Sequence, residues 1–204
     1  MKAEKITFTS KINFVDRKTF NSLCVGKFID FTNPETSIVK ADSFNMDCVR
    51  TCSAGGVKNS KTGDAVGFHS YDKEEYSKPI ENVISDIFLM VENPDRALLL
   101  GGKNLRINTY NSMRRFWHLK EAFLNRIKNV TFFEEHTFPD SESNLCYLKD
   151  SDTWLINSEY KDYRQIKPMN KCVSSIEELL RFFRKVQIAQ GDTLFIDGKE
   201  IKIK

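Results

Sequence analysis

Five cysteines (Cys24, Cys48, Cys52, Cys146 and Cys172) and three histidines (His69, His118 and His136) are the side chains of this 204-residue chain best suited to nucleophilic or metal chemistry. A cysteine attacks only as its thiolate, so a working nucleophile needs a base beside it. Cys48 and Cys52 stand four residues apart, which resembles half of a zinc site. Structural zinc takes four ligands, usually as two close pairs, and the sequence has no second pair. No metal and no cofactor is expected. Gly101-Gly-Lys-Asn104 follows an apolar run as a phosphate-binding loop would, but without either the G-x4-G-K-[ST] or the G-x-G-x-x-G spacing. A G-x-S-x-G elbow is also missing.

The segment from Cys48 to His69 reads as two extended arms around the polar stretch Lys58-Asn-Ser-Lys-Thr-Gly63. If Cys52 faces His69 across that hairpin, the turn is centred between Ser60 and Lys61, the middle of the polar stretch. Pairing Cys48 with His69 moves the centre to between Lys58 and Asn59, at its edge. Facing residues hold their Cβ atoms about 4.5–5.5 Å apart, within reach for an imidazole to deprotonate a thiol. Cys52 and His69 are therefore the candidate catalytic pair, with Cys48 as the alternative nucleophile. A small buried cysteine beside a hydrogen-bonded histidine is the non-catalytic reading of the same spacing. His118, next to Trp117 on a helical pattern, and His136, after Glu134-Glu135, read as structural or solvated.

Positioning such a pair requires a folded scaffold, and the composition provides for one. Apolar residues make up 40% of the chain and include 16 Phe, too many large side chains for a disordered polymer. Thirty-one Lys and Arg against 28 Asp and Glu leave a formal charge of +3, too weak a bias for a dedicated nucleic-acid binder. Apolar runs such as Ile87-Phe-Leu-Met-Val91 are far shorter than the roughly 20 residues that span a bilayer. The first residues lack a continuous apolar secretory core. These features predict a single domain over 1–204, with reduced thiols and without membrane insertion, that is cytoplasmic or exported by a route other than Sec.

The pattern mixes helices with strands. Strands are predicted at Ile6–Phe8, Cys24–Phe31, Ser37–Lys40, Arg96–Leu100 and Val130–Phe133. Ile80, Val83, Ile84, Ile87, Phe88 and Val91 repeat with helical spacing, as do Met113, Phe116, Trp117, Phe123, Leu124 and Ile127. Pro139–Asn144 reads as a surface loop. Overlapping Ser174-x-x-Glu177 and Ser175-x-x-Glu178 boxes announce a helix carrying Leu179, Leu180, Phe182, Phe183 and Val186. A closing hairpin turns on Asp197-Gly198. The expected class is α+β or α/β, a mixed sheet or β-sandwich core flanked by helices.

Thr51-Cys-Ser-Ala-Gly-Gly-Val-Lys-Asn-Ser-Lys-Thr-Gly-Asp-Ala-Val-Gly-Phe-His69 resembles the Cys-hairpin-His core of the chemoreceptor glutamine deamidase family CheD, where the histidine also stands 17 positions after the cysteine. Leu98-Leu-Leu-Gly-Gly102, with a helix and a strand after it, is similar to that family's Gly-Gly motif. The resemblance spans roughly residues 37–135 and extends to the cytotoxic necrotizing factor deamidases; the flanks 1–36 and 136–204 match neither. It implies a mixed β core wrapped by helices and a cofactor-free Cys/His site that hydrolyses glutamine carboxamides of a protein partner, such as a chemoreceptor or a host GTPase. It also implies a third residue that orients the histidine. Met46 stands where CheD has a threonine six positions before its nucleophile; the necrotizing factors use a backbone carbonyl for that role, and Asn45 and Asp42 are candidates for it here. A cysteine peptidase or transglutaminase would use the same dyad, and a non-catalytic interaction module would not use it at all.

Overall fold

The computed structural model describes residues 10–30, 32–71, 78–103, 110–135, 140–162 and 165–202. In chain order the elements are β1 (Lys11–Phe14), α1 (Arg17–Leu23), β2 (Lys27–Phe28), β3 (Ile38–Lys40), β4 (Ser43–Val49), β5 (Ser53–Lys58), β6 (Ala65–Ser70), α2 (Ile80–Met90), β7 (Arg96–Gly101) and α3 (Tyr110–Arg126). They continue with β8 (Asn129–Glu135), β9 (Asp140–Leu148), β10 (Thr153–Asp162), β11 (Gln165–Pro168), a 3-10 turn (Met169–Lys171), α4 (Ile176–Leu179), β12 (Phe183–Gln187), β13 (Thr193–Ile196) and β14 (Lys199–Ile201). The fold is α+β with two mixed sheets. Sheet A runs β14-β13-β1-β10-β9-β4-β2, with β11 added to the free end of β10. Sheet B runs β12-β8-β7-β5-β6-β3.

Residue periodicity explains the layers. Leu98 and Leu100 of β7 enter the core between the sheets, while Ala97 and Leu99 enter a second core beneath α2 and α3. A strand buried on both faces reads as a continuous apolar run, and β7 does. Val83 and Ile87 of α2 and Phe116, Leu119 and Phe123 of α3 fill that second core. Trp117 and Leu124 lie at the edge of the buried stripe of α3 and stay partly exposed. A third, smaller cluster of Val15, Phe20, Cys146 and Leu155 lies beneath α1 on the outer face of sheet A.

Several expected elements take other forms. The strand predicted over 24–31 is only Lys27–Phe28, because Cys24 still caps α1, its N–H donating to the Phe20 carbonyl at 2.8 Å, and Gly26 turns the chain at φ +96°. Of the predicted loop over 139–144, residues 140–144 are the start of β9, and 139 lies outside the described residues. The helix announced at 174–186 is a single turn, Ile176–Leu179, and Phe183–Gln187 instead extends sheet B antiparallel to β8. The strand read at 6–8 lies outside the described residues.

Side chains of sheet A press on sheet B where its strands carry glycine. A Cβ on Gly67 would stand 2.4 Å from Phe44 Cδ2 and 2.5 Å from Ile29 Cδ1, and one on Gly56 would stand 2.6 Å from Trp154. Gly67→Ala must therefore displace packed rings. It should cost about 1–3 kcal/mol, read as a lower urea midpoint with an unchanged slope.

Candidate functional site

The chain crosses from sheet A to sheet B at residues 50–52, between the end of β4 and the start of β5. Cys48 therefore belongs to β4, which pairs with β9. It is not on an arm of the hairpin, and its pairing with His69 is corrected by this change of sheet. Cys52 is the last residue before β5. The β5–β6 register pairs Ala54 with His69 and Ser53 with Ser70, which centres the turn between Lys61 and Thr62. Direct opposition of Cys52 and His69 is therefore also corrected. Cys52 lies two positions before Ala54, so it shares that residue's face and stands diagonal to His69. Diagonal neighbours are about 7–8 Å apart at Cα, a gap that a long or aromatic side chain spans.

That face looks into the space between the sheets. Cys52 is 2% exposed and packs in the inter-sheet core, and His69 is 1% exposed. Burial pushes the imidazole down to about 4; the Ile29 backbone and the Asp30 carboxylate act against that push. His69 is therefore neutral at physiological pH, the form that accepts a proton. Neither predicted orienting residue reaches it. Asn45 is on the outer face of sheet A, where its amide donates to the Gly26 carbonyl at 3.1 Å. Asp42 is exposed and pairs with Lys149. The groups that act on the imidazole are instead in the chain after β2, the Ile29 backbone and the Asp30 carboxylate.

Glu135 and Lys103 belong to the same end of sheet B and were missed. β7 and β8 run parallel with Gly101 beside Glu134, so Gly102 and Glu135 follow as the next row, level with Cys52 on the other side of β7. Glu135 is 2% exposed and accepts from Ser143 Oγ at 2.8 Å, and Ser143 contacts Ser158 Oγ at 2.8 Å. Its other oxygen, Oε2, is buried with no partner among the described residues. The Lys103 ammonium is fully buried and donates to the Ser141 carbonyl at 2.6 Å. Burial pushes the Glu135 carboxyl up to about 7, against the pull of Lys103 and Ser143. A cavity of about 10 Å³, roughly one water in size, opens beside Glu135, Ser143 and Ser158. Its wall residues Ser141, Glu159 and Tyr160 also line a surface cleft of about 440 Å³ rimmed by Arg17, Arg50 and Glu142. The available signal was the period-two alternation of β8, which places Glu135 on the core face with Thr131 and Phe133.

His118 is half-buried on α3, and His136 lies outside the described residues. Among the described residues no three His, Cys, Asp or Glu side chains converge as metal ligands, and no helix is long and apolar enough to cross a membrane. No protein-family model and no curated protein matches the chain.

The two buried groups make opposite contributions to stability. Depressed to about 4, His69 contributes stability that is present above the ordinary histidine value and is lost as pH falls through 4. Raised to about 7, Glu135 contributes stability that is present below the ordinary carboxyl value and is lost as pH rises through 7. Each is worth about 3 kcal/mol at full extent, and the two slopes oppose one another between roughly pH 4.5 and 6.5. Glu135→Gln should therefore unmask a rise in stability over that window, and His69→Gln should unmask a fall continuing to pH 7. Urea midpoints measured against pH check both.

Proposed function

We propose that this chain is a cysteine amidohydrolase that converts glutamine side chains of a protein substrate to glutamate. His69 takes the proton of Cys52, and the thiolate attacks the carboxamide carbon. Backbone N–H groups around Cys52 stabilise the oxyanion, a role worth about 2.7–4 kcal/mol per donor in other enzymes. Ammonia leaves with the proton returned by His69. His69 then deprotonates a water, which attacks the thioester and releases glutamate and the thiol.

The observation that supports this reading is the register: a thiol and a neutral imidazole share one face at the same end of adjacent antiparallel strands. The Gly101–Gly102 turn adjoins them, since a Cβ on Gly101 would meet the Cys52 carbonyl at 2.5 Å. The burial of Cys52 favours the competing reading, in which it is a packing residue of a non-catalytic module. Catalysis requires this end of the sandwich to open far enough to admit a carboxamide.

Denatured casein and glutaminyl peptides supply accessible carboxamides for the test. Deamidation should release ammonia and add about one mass unit at glutamine without chain cleavage, and Cys52→Ser and His69→Ala should each lower the rate by at least about 100-fold. Peptide cleavage would indicate a peptidase, and amine incorporation a transglutaminase. Absent turnover, with Cys52 alkylated no faster than an unfolded thiol and unaffected by His69→Ala, would leave only the packing role.

A further inference from the structure

Cys24 and Cys146 are 122 positions apart in sequence, yet the fold brings their thiols together. Cys24 is the C-cap of α1 and packs, half-buried, against the cluster of Val15, Phe20, Cys146 and Leu155. Cys146 is on β9, opposite Asn45 of β4, and faces outward from sheet A beneath the chain leaving α1. Its thiol lies 3.7 Å from the Val25 carbonyl, and the Asn45 amide holds the next carbonyl, Gly26, at 3.1 Å. The Cys24–Val25–Gly26 strap is thus seated directly over the Cys146 side chain.

We propose that Cys24 and Cys146 form a thiol–disulfide site that is oxidised by glutathione disulfide. The partly exposed Cys24 exchanges first. Its sulfur bonds to one glutathione sulfur, the glutathione S–S bond breaks, and the first glutathione leaves as a thiolate that takes up the Cys24 proton. The buried Cys146 sulfur then attacks Cys24, and the second glutathione leaves with the Cys146 proton. Two cysteine thiols are oxidised and one glutathione disulfide is reduced to two thiols. The second step has its nucleophile in place: Cys146 packs against Cys24 beneath the strap, with its thiol 3.7 Å from the Val25 carbonyl. The mixed disulfide should therefore not accumulate. The bond would fasten the strap that continues through β2 to Ile29 and Asp30, the groups beside His69.

The test uses the full chain carrying Cys172→Ser, which removes the exposed thiol. After treatment with glutathione disulfide, the expected product is lighter by about 2 Da, with two fewer titratable thiols and a Cys24–Cys146 cross-linked peptide. Its midpoint of thermal unfolding should rise by on the order of 10 °C, reversed by dithiothreitol. A second substitution, Cys24→Ser, should leave the chain reduced. Three results would overturn the site: a stable adduct of about 305 Da with no cross-link, a disulfide joining any other pair, or no oxidation of the folded chain under conditions that oxidise the same chain in urea.

Discussion

The rest of the structure depends on the close approach of the two sheets over backbone that carries no side chains. Phe44 and Trp154 of sheet A occupy the volume that Cβ atoms on Gly56 and Gly67 would need, and the rings stack on one another with Tyr147, at centroid distances of 4.6 to 5.8 Å. Close-packed rings of that size leave no room for side chains on the strands they cover. The β5–β6 hairpin thus becomes the floor of the inter-sheet core, and the ends of its strands become the ends of the sandwich. One end is closed by charge. Lys58 of β5 pairs with Asp152, and Arg96 of β7 pairs with Asp192, which also accepts from Thr131 Oγ1 at 2.8 Å. Buried pairs of this kind add little net stability, but removing one partner strands the other, so they fix which strands meet.

The opposite end is built differently. His69, Cys52, Lys103 and Glu135 come from four consecutive chain passages, yet they lie at one end of sheet B because β5, β6, β7 and β8 are neighbours in it. His69 is held neutral, and Glu135 is held near the pH at which it loses its proton.

The sequence shows most clearly the elements whose partners are themselves. The helices at Ile80–Met90 and Tyr110–Arg126, the buried strand at Arg96–Gly101 and the Asp197-Gly198 hairpin each carry their pattern internally, and all four form. β9 and β10 stay hidden because the polar residues within them satisfy one another across the strands. Ser143 contacts Ser158, and the Asn144 amide donates to the Asn157 side-chain Oδ1 at 2.9 Å; each is a register pair. Read singly, these residues look like loop; only the pairing makes them core. The same limit hid Glu135, whose hydrogen-bond partner is Ser143. In the region after Ser174, the capping signal was sound for one turn, but β8 had an unfilled edge, and Phe183 and Val186 fit a strand as well as a helix.

The hairpin register turns on a single residue. The Asn59 side chain accepts from the Lys61 and Thr62 N–H groups, and the Asn59 backbone N–H donates to the Asp64 carbonyl at 2.9 Å, closing a turn that encloses Ser60–Gly63. This organisation centres the turn one residue later than its polar composition suggests, and pairs His69 with Ala54 in place of Cys52. Side chains on a strand alternate with a period of two, so a shift that pairs His69 with Ser53 would have turned Cys52 toward the helices. The actual shift moves the partner of His69 by two positions. It therefore preserves the face and changes only the alignment, from opposed to diagonal. The shared face survives in the parity of the shift, and Cys52 and His69 stand one diagonal apart, about 2–3 Å more than a facing pair at Cα.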